Sequence, residues 1–187
     1  MTRRLRVIVL HGVESTGKSG LADSLAAHYA TIAVPEYGRV HAEMHGVDMD
    51  EADLLHIGAV QTGAIEAAKR ITRDLVIADT DALMTAAWAQ MMIGYMPDPL
   101  LTGPKADLYL LMAPDMPWVP DNVRIYGDPA VRRRFADICR AVLDRAGVAY
   151  KDIGGGWDAR FASAVAAIDA LMAHPASQPF DLDAQSE

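Results

Sequence analysis

Apolar residues along the chain form short continuous runs that alternate with stripes spaced three and four residues apart. The runs predict strands at residues 5–10, 31–34, 75–79, 107–112 and 148–153, of which 5–10, 75–79 and 107–112 are expected to be buried. The stripes predict helices through residues 21–29 and at residues 50–73, 82–95, 129–146 and 157–173. Trp88, on the helix at residues 82–95, is expected to be a core residue. Strands that alternate with helices indicate an α/β fold, and we expect five parallel strands in one sheet.

The fourth predicted helix carries clear end signals. Asp128 is expected to cap its start, Pro129 to be its first residue, and Gly147 to end it. Prolines at 97 and 99 break the chain after the preceding helix, and residues 35–39 break it after the second strand. Residues 174–187 contain two prolines and three acidic residues, which predicts a flexible acidic tail.

The segment between the first strand and the first helix fits the phosphate-loop pattern at every fixed position: Gly12, Val13, Glu14, Ser15, Thr16, Gly17, Lys18 and Ser19. Its backbone amides and the following helix would together bind phosphate oxygens. Gly12 and Gly17 would supply special backbone angles, Lys18 would reach the β and γ phosphates, and Ser19 would bind Mg²⁺. A glycine-rich turn without a ligand is the alternative, but it would not need Lys18 and Ser19 together.

Polar residues after other strands are candidates for the rest of a site. Asp79 ends a buried strand, where phosphate-loop enzymes hold Mg²⁺. Glu36 and Arg39 lie beyond the second strand and either reach a substrate or form a solvated ion pair. Asp81 either caps the next helix or takes part in catalysis. Gln61, on an apolar stripe, either bonds to the backbone or faces a ligand.

Four arginines between residues 124 and 134 predict a lid, at about residues 114–135. Arg133 points away from the apolar face of its helix, whereas Arg132 and Arg134 flank that face. One or both of the flanking arginines, together with Arg124, would then cover the transferred phosphate. A solvated basic helix start is the alternative.

Composition limits the class of partner. A formal charge of −8 in 187 residues argues against nucleic acid as a partner. No apolar run approaches the ~20 residues of a membrane span, and the first residues do not form a signal peptide, so we expect a cytoplasmic protein. Cys139 is the single cysteine and is expected to be a small buried filler. His41, His45 and His56 are expected to be surface or core residues rather than metal ligands.

Four separated motifs resemble the ribosylnicotinamide (nicotinamide riboside) kinase domain of bacterial NadR proteins, within the phosphate-loop kinases. They are residues 12–19, Glu36-Tyr37-Gly38-Arg39, residues 77–81, and the segment from Trp118 to Arg124. The resemblance implies a three-layer P-loop NTPase sandwich over residues 1–173, with a five-stranded parallel sheet and an arginine-bearing lid. It also implies ATP and Mg²⁺ as cofactors and phosphorylation of the ribose 5′-hydroxyl of nicotinamide riboside.

Specific roles follow from this resemblance. Glu36 would accept the proton or hydrogen bond of the attacking hydroxyl, and Lys18, Arg124 and Arg132 would act on the transferred phosphate, with Arg134 on the nucleotide. Tyr37, Arg39, Gln61, Asp81 and Trp118 would contact the nucleoside. The adenylyltransferase signature and DNA-binding head of NadR proteins are not found in this sequence, so we expect it neither to complete NAD synthesis nor to bind operators alone.

Two other functions stay open. The chain could phosphorylate another nucleoside or small acceptor. It could also be a nucleotide-dependent binding switch without phosphate transfer, although the guanine-reading Asn-Lys-x-Asp motif is absent. The oligomeric state is not predicted.

Overall fold

The computed structural model describes residues 4–173, in which five strands form one parallel sheet. The strands are β1 (Arg6–His11), β2 (Ala33–Val34), β3 (Leu75–Asp79), β4 (Leu108–Met112) and β5 (Tyr150–Ile153). They lie in the order β2-β3-β1-β4-β5, and every neighbouring pair is parallel. β1 is therefore the central strand, and the prediction of a five-stranded parallel sheet is confirmed.

Seven helices connect and cover these strands in the described part of the chain. They are α1 (Lys18–His28), α2 (Tyr37–His45), α3 (Glu51–Ile71), α4 (Ala82–Met92), α5 (Asp98–Thr102), α6 (Pro129–Ala146) and α7 (Trp157–Ala173). Asp128 caps α6 and Gly147 ends it with φ 62°, as the end signals predict. α2 and α5 begin where only chain breaks were expected. α5 is a single turn and α2 buries only His41 and Ala42, so neither carries a repeated apolar stripe.

The two faces of the sheet support separate halves of the core, because successive side chains of a strand point to opposite faces. Val7 and Val9 of β1 belong to the half that includes buried residues of α3, α4 and α6. Ile8 and Leu10 belong to the half that includes buried residues of α1 and α7. Helices thus cover both faces, and the three-layer architecture is confirmed.

Three further expectations concern the chain outside the sheet. Cys139 is fully buried on α6, in agreement with a small filler. No helix between residues 4 and 173 is long and apolar enough to cross a membrane. The acidic tail predicted at residues 174–187 lies outside the described residues, and the assignment of residues 1–173 to one kinase domain stays a prediction.

Candidate functional site

The loop between β1 and α1 has the backbone shape that phosphate binding requires. Gly12 has φ 129°, and a Cβ there would lie 2.9 Å from the carbonyl oxygen of Met112. Gly17 has φ 83° and caps α1, which begins at Lys18. Both conformations are strained for residues with a side chain, so glycine meets a backbone requirement at each position. The amino-terminal end of α1 faces the loop.

Side chains of the loop stabilise it from within. The Thr16 hydroxyl donates to the carbonyl oxygen of Val13 at 2.8 Å. Lys18 is buried, and its Nζ donates to the carbonyl oxygens of Gly12 and Val13 at 2.9 Å each. A buried ammonium group at this point attracts anions strongly, because little water screens it.

Ser19 and Asp79 form a pair beside the loop. Asp79 ends β3 and lies opposite Leu10 of β1, and the Ser19 hydroxyl donates to Asp79 Oδ2 at 2.5 Å. Burial raises the pKa of Asp79, while Lys18 and the Ser19 hydroxyl oppose this increase. Asp79 Oδ1 is buried without a hydrogen-bond partner. A hydroxyl and a carboxylate with a free oxygen are ligands of the kind that Mg²⁺ prefers.

Glu36 follows β2 and lines the same cavity as the phosphate loop. Removal from water raises the pKa of its carboxyl to about 7; Lys18 and Arg39 oppose this effect, whereas Asp79 and Glu14 add to it. A carboxyl group that titrates near neutral pH suits general-base chemistry better than one that titrates near 4.5, provided that it reaches the acceptor hydroxyl.

The cavity has a volume of about 230 Å³ and combines charged and apolar walls. The phosphate loop and the start of α1 contribute residues 14–20. Glu36, Arg39 and Arg124 add charged groups. The apolar walls come mainly from α3 and α4 and from the loop before α3: Val47, Met49, Leu54, Ile57, Met84, Trp88 and Met92. A phosphate site and a largely apolar compartment therefore share one space, as binding of a small organic ligand requires.

Gln61 connects the segments that carry Glu36 and Asp79. Its Oε1 accepts from the Tyr37 N–H at 2.9 Å, and its Nε2 donates to the carbonyl oxygen of Thr80 at 3.2 Å. Gln61 is almost completely buried and also lines the cavity. Of the two expected roles, backbone bonding is observed, and it fixes the two acidic residues relative to each other.

Asp81 caps α4 and is not among the cavity-lining residues. Its Oδ1 accepts from the amides of Leu83 and Met84 at 2.9 and 3.2 Å, and its Oδ2 accepts from the Tyr109 hydroxyl at 2.6 Å. Both oxygens of this buried carboxylate are occupied. Asp81 is therefore a helix cap, and the expected contact with substrate is not supported.

Tyr37 and Trp118 also lie outside the cavity lining. The Tyr37 hydroxyl lies 3.1 Å from Nε2 of His56. The Trp118 ring packs against Gly127, and its Nε1 donates to Glu14 Oε1 at 3.3 Å. These contacts hold the rings away from the substrate space, so their expected substrate contacts are not supported in this conformation.

The two arginines that border the cavity share one acidic partner. Arg124 Nε lies 3.3 Å from Asp121 Oδ2, and Arg39 Nη2 donates to the same oxygen at 2.8 Å. Arg124 Nη1 also donates to the carbonyl oxygen of Val119 at 2.6 Å. The positive charge on both side chains is thereby held at the cavity wall.

The arginines at the start of α6 have different environments. Arg132 is buried, and neither Nη1 nor Nη2 has a hydrogen-bond partner. Burial lowers the pKa of Arg132, and the negative charge of Glu14 opposes this effect. Arg133 and Arg134 are exposed. Arg132 does not line the cavity, but its unpartnered guanidinium keeps it the candidate for phosphate contact, whereas the expectation for Arg134 is not supported.

Trp88 was interpreted as a core residue, but it borders the cavity. It is only partly buried and stacks on Tyr126, with ring centroids 5.6 Å apart. Trp88 lies within two helical turns of the carboxyl end of β3. Because ligands bind beyond the carboxyl ends of parallel strands, this position in the sequence could have indicated a cavity-lining role.

Two residues of α7 that support the phosphate loop were missed in the sequence. Arg160 is fully buried, forms an ion pair with Asp115 and donates to the carbonyl oxygen of Thr16. Trp157, half-exposed, packs against Gly17. Both act across a long separation along the chain, and no local pattern signals their roles.

Comparison with known proteins gives a consistent result. A family model described as an AAA domain matches residues 7–160. The trifunctional NAD biosynthesis/regulator protein NadR of Salmonella typhimurium is 26% identical over 178 residues, which is 90% of this chain and 43% of that protein. The chain thus spans less than half the length of this relative. The resemblance inferred from the four motifs is confirmed as a similarity in sequence.

Solved structures show the same fold. A NadR protein in complex with NR, and one in complex with NAD and AMP-PNP, each superpose with a TM-score of 0.69 at 20% identity. The match covers 95% of this chain and 54% and 52% of those chains. Thymidylate kinase from Candida albicans superposes with a TM-score of 0.65 at 14% identity, over 89% of this chain and 92% of that chain.

Proposed function

The chain belongs to the AAA domain family, and from this premise we propose that it is an ATP-dependent kinase for nicotinamide riboside. It would phosphorylate the ribose 5′-hydroxyl and release nicotinamide mononucleotide. The observation that carries the proposal is that the phosphate loop and Glu36 line the same cavity. The NadR relative, and the NadR structures with NR and with AMP-PNP, support this choice of substrates.

In this proposal the loop amides and Lys18 bind the ATP phosphates. Lys18 Nζ exchanges its contacts with the carbonyl oxygens of Gly12 and Val13 for phosphate oxygens. The Gly17 conformation keeps the loop open to the phosphates, and the start of α1 adds its dipole. Replacing Lys18 by Ala should abolish turnover; activity retained in that variant would refute the phosphate-loop assignment.

Ser19 and Asp79 would hold Mg²⁺, and the unpartnered Oδ1 of Asp79 fits this role. Mg²⁺, when bound, would neutralise charge on the transferred phosphate. Asp79 lies at the carboxyl end of β3, beside the strand that leads into the phosphate loop. Its carboxylate therefore lies next to the Ser19 hydroxyl, where the metal would bind.

Glu36 would orient the acceptor hydroxyl and take up its hydrogen bond or proton. Because its pKa is raised to about 7, the Glu36 carboxyl can gain and lose a proton near neutral pH. Gln61 holds the backbone after Glu36 against the backbone after Asp79, so the acid and the metal ligand keep a fixed separation. Phosphate transfer depends mainly on such positioning.

Arg124 and Arg132 would stabilise the charge of the transferred phosphate. The guanidinium of Arg132 has two nitrogens without partners in a buried place, which is unfavourable unless an anion arrives. The apolar walls near Trp88 and Met92 would accept the nicotinamide ring. A planar aromatic ring would gain contact area against these walls, and the ribose of the same ligand would then lie on the side of the cavity that Glu36 lines.

An acceptor panel tests the proposal. Purified protein with ATP and Mg²⁺ is assayed against nicotinamide riboside, thymidine, uridine, cytidine and adenosine, and the phosphorylated products are identified by mass spectrometry. We expect kcat/KM for nicotinamide riboside to exceed that for each other nucleoside by at least about tenfold, which is ~1.4 kcal/mol of discrimination. Preference for another nucleoside would replace the acceptor and retain the kinase.

A second candidate is a kinase for a different nucleoside or nucleotide, because the chain shares its fold with thymidylate kinase. A binding switch without phosphate transfer would instead show ATP hydrolysis that no acceptor changes, and no phosphorylated product. The same panel therefore separates all three functions.

A further inference from the structure

Glu14 places a carboxylate inside a loop that is built for anions. Its side chain is mostly buried, and it lies between Val13 and Ser15 at the third position of the phosphate loop. A negative charge there repels phosphate, because opposite charge favours anion binding and like charge opposes it. The residue therefore requires a function other than direct phosphate binding.

The contacts of Glu14 lead to the lid segment, which we define as residues 114–128 between β4 and α6. Glu14 Oε1 accepts from the backbone N–H of Tyr126 at 2.7 Å and from Trp118 Nε1 at 3.3 Å. These two donors lie eight residues apart and meet at one oxygen. Hydrogen bonds to a charged acceptor are stronger than neutral ones, so this junction holds both ends of residues 118–126 on the loop.

Ser15 adds a second junction next to the first. Its Oγ accepts from the Val119 N–H at 3.0 Å and donates to the Val119 carbonyl oxygen at 3.2 Å. That carbonyl oxygen also accepts from Arg124 Nη1 at 2.6 Å. Ser15 of the phosphate loop is thus connected through Val119 to Arg124, which lines the cavity.

The lid segment also determines where α6 begins. Asp128 accepts from the amides of Ala130 and Val131, which fixes the first turn of α6 directly after the lid segment. Arg132 follows one turn later with its unpartnered guanidinium, near the charges of Glu14 and Arg124. A lid segment released from Glu14 would release Arg124 and loosen the start of α6 together.

We infer that Glu14 is a positioning residue that latches the lid segment onto the phosphate loop, so that Arg124 stays at the cavity and water is kept out during transfer. The inference rests on the proposed function for its catalytic consequence, although the latch itself does not. Loss of the latch should lower phosphate transfer to the acceptor and raise hydrolysis of ATP by water.

Two substitutions at one position separate the hydrogen bonds from the charge. Glu14→Gln keeps a carbonyl oxygen that accepts from Tyr126 and Trp118, whereas Glu14→Ala removes the acceptor. Glu66→Ala is the control, because Glu66 is a partly exposed residue on α3 that pairs with Lys69. Trp118→Phe removes one donor and leaves the loop sequence intact, so it tests the latch even if Glu14→Ala does not fold.

Hydrogen–deuterium exchange of residues 118–127 reads the latch without any acceptor. We expect exchange in Glu14→Ala to be at least about tenfold faster than in the wild type, because loss of a hydrogen bond to a charged group costs more than ~1.4 kcal/mol. Glu66→Ala should remain within about threefold of the wild type. Glu14→Gln, which keeps the acceptor but loses its charge, and Trp118→Phe should both be intermediate. Unchanged exchange in Glu14→Ala, or in Trp118→Phe where Glu14→Ala is unfolded, overturns the inference.

The ratio of ATP hydrolysed to acceptor phosphorylated provides the second measurement. Glu14→Ala should raise this ratio at least about tenfold, and Glu14→Gln should restore most of the coupling. A ratio equal to that of the wild type, with fast exchange, would overturn the role in excluding water. If the wild type phosphorylates no acceptor in the panel, the proposed function fails and the exchange experiment still decides the latch.

Discussion

Replacing Glu36 by Gln should stabilise the protein at alkaline pH while lowering its activity. The pKa of the Glu36 carboxyl is about 7 in the folded protein and ordinarily 4.5. Because the folded-state pKa is raised, the contribution of Glu36 to stability is fully present below about pH 4.5 and is lost as pH rises towards 7. The difference corresponds to ~3 kcal/mol, and partial exposure of the side chain reduces the expected effect to roughly 1–2 kcal/mol.

The measurement is the free energy of unfolding in urea for the wild type and Glu36→Gln between about pH 4 and pH 8. The amide is neutral at every pH, so it lacks the carboxylate's loss of stability. The two proteins should have similar stability near pH 4, and Glu36→Gln should be roughly 1–2 kcal/mol more stable at about pH 8. Glu66→Gln, which changes a partly exposed ion pair on α3, should differ from the wild type by less than ~1 kcal/mol throughout.

Activity is measured on the same proteins. If Glu36 orients the acceptor hydroxyl, Glu36→Gln should lower kcat by roughly 10²-fold or more, with little change in ATP binding. In the wild type, kcat should rise with pH and level off above about 7, where the carboxyl is ionised. An unchanged kcat would remove Glu36 from catalysis, and equal stability of the two proteins at about pH 8 would refute the argument from burial.

The remaining predictions concern the metal ligand, the buried arginine and the loop glycine. Asp79→Asn should lower kcat by roughly 10²-fold and raise the Mg²⁺ concentration needed for half-maximal rate, which a Mg²⁺ titration measures. Arg132→Met should lower kcat by roughly 10³-fold but leave the melting temperature unchanged or higher, because it removes an unpaired buried charge; a large fall in melting temperature would contradict this reasoning. Gly17→Ala should weaken ATP binding in calorimetry, because the new Cβ would approach Trp157 to 2.4 Å and alanine is strained at φ 83°. Gly63→Ala is the control: its Cβ would enter open space on α3, so this variant should bind ATP normally and be ~0.5–1 kcal/mol more stable.

The phosphate loop was predictable because its spacing encodes backbone requirements directly. Gly12 and Gly17 have positive φ in the structure, and Lys18 and Ser19 follow at the start of α1. The inner strands β1, β3 and β4 were predictable for a similar reason, because strands covered on both faces require continuous apolar runs. Local sequence suffices wherever the physical requirement is itself local.

Side chains whose role depends on packing were less predictable. A helical stripe cannot distinguish a core wall from a cavity wall, so Trp88 was interpreted as core although it borders the cavity. Likewise, the angle of about 100° per residue places Arg132 and Arg134 on either side of the apolar face of α6. In the folded protein the first side chain is buried and the second is exposed, and the helical angle alone cannot distinguish them. Asp81 had two equivalent interpretations until its partners were known.

The central position of β1 divides the molecule into two flanks, which the ion pair between Arg39 and Asp121 joins above the sheet edge. Glu36 and Gln61 belong to the flank built around β2, β3 and α3, whereas the lid segment and Arg160 belong to the flank built around β4 and β5. The phosphate loop lies between the two flanks and is shared by both. Under the proposed function, mutations confined to the first flank and away from the Arg39–Asp121 ion pair would alter the choice of acceptor, while the second flank continues to bind the phosphate donor.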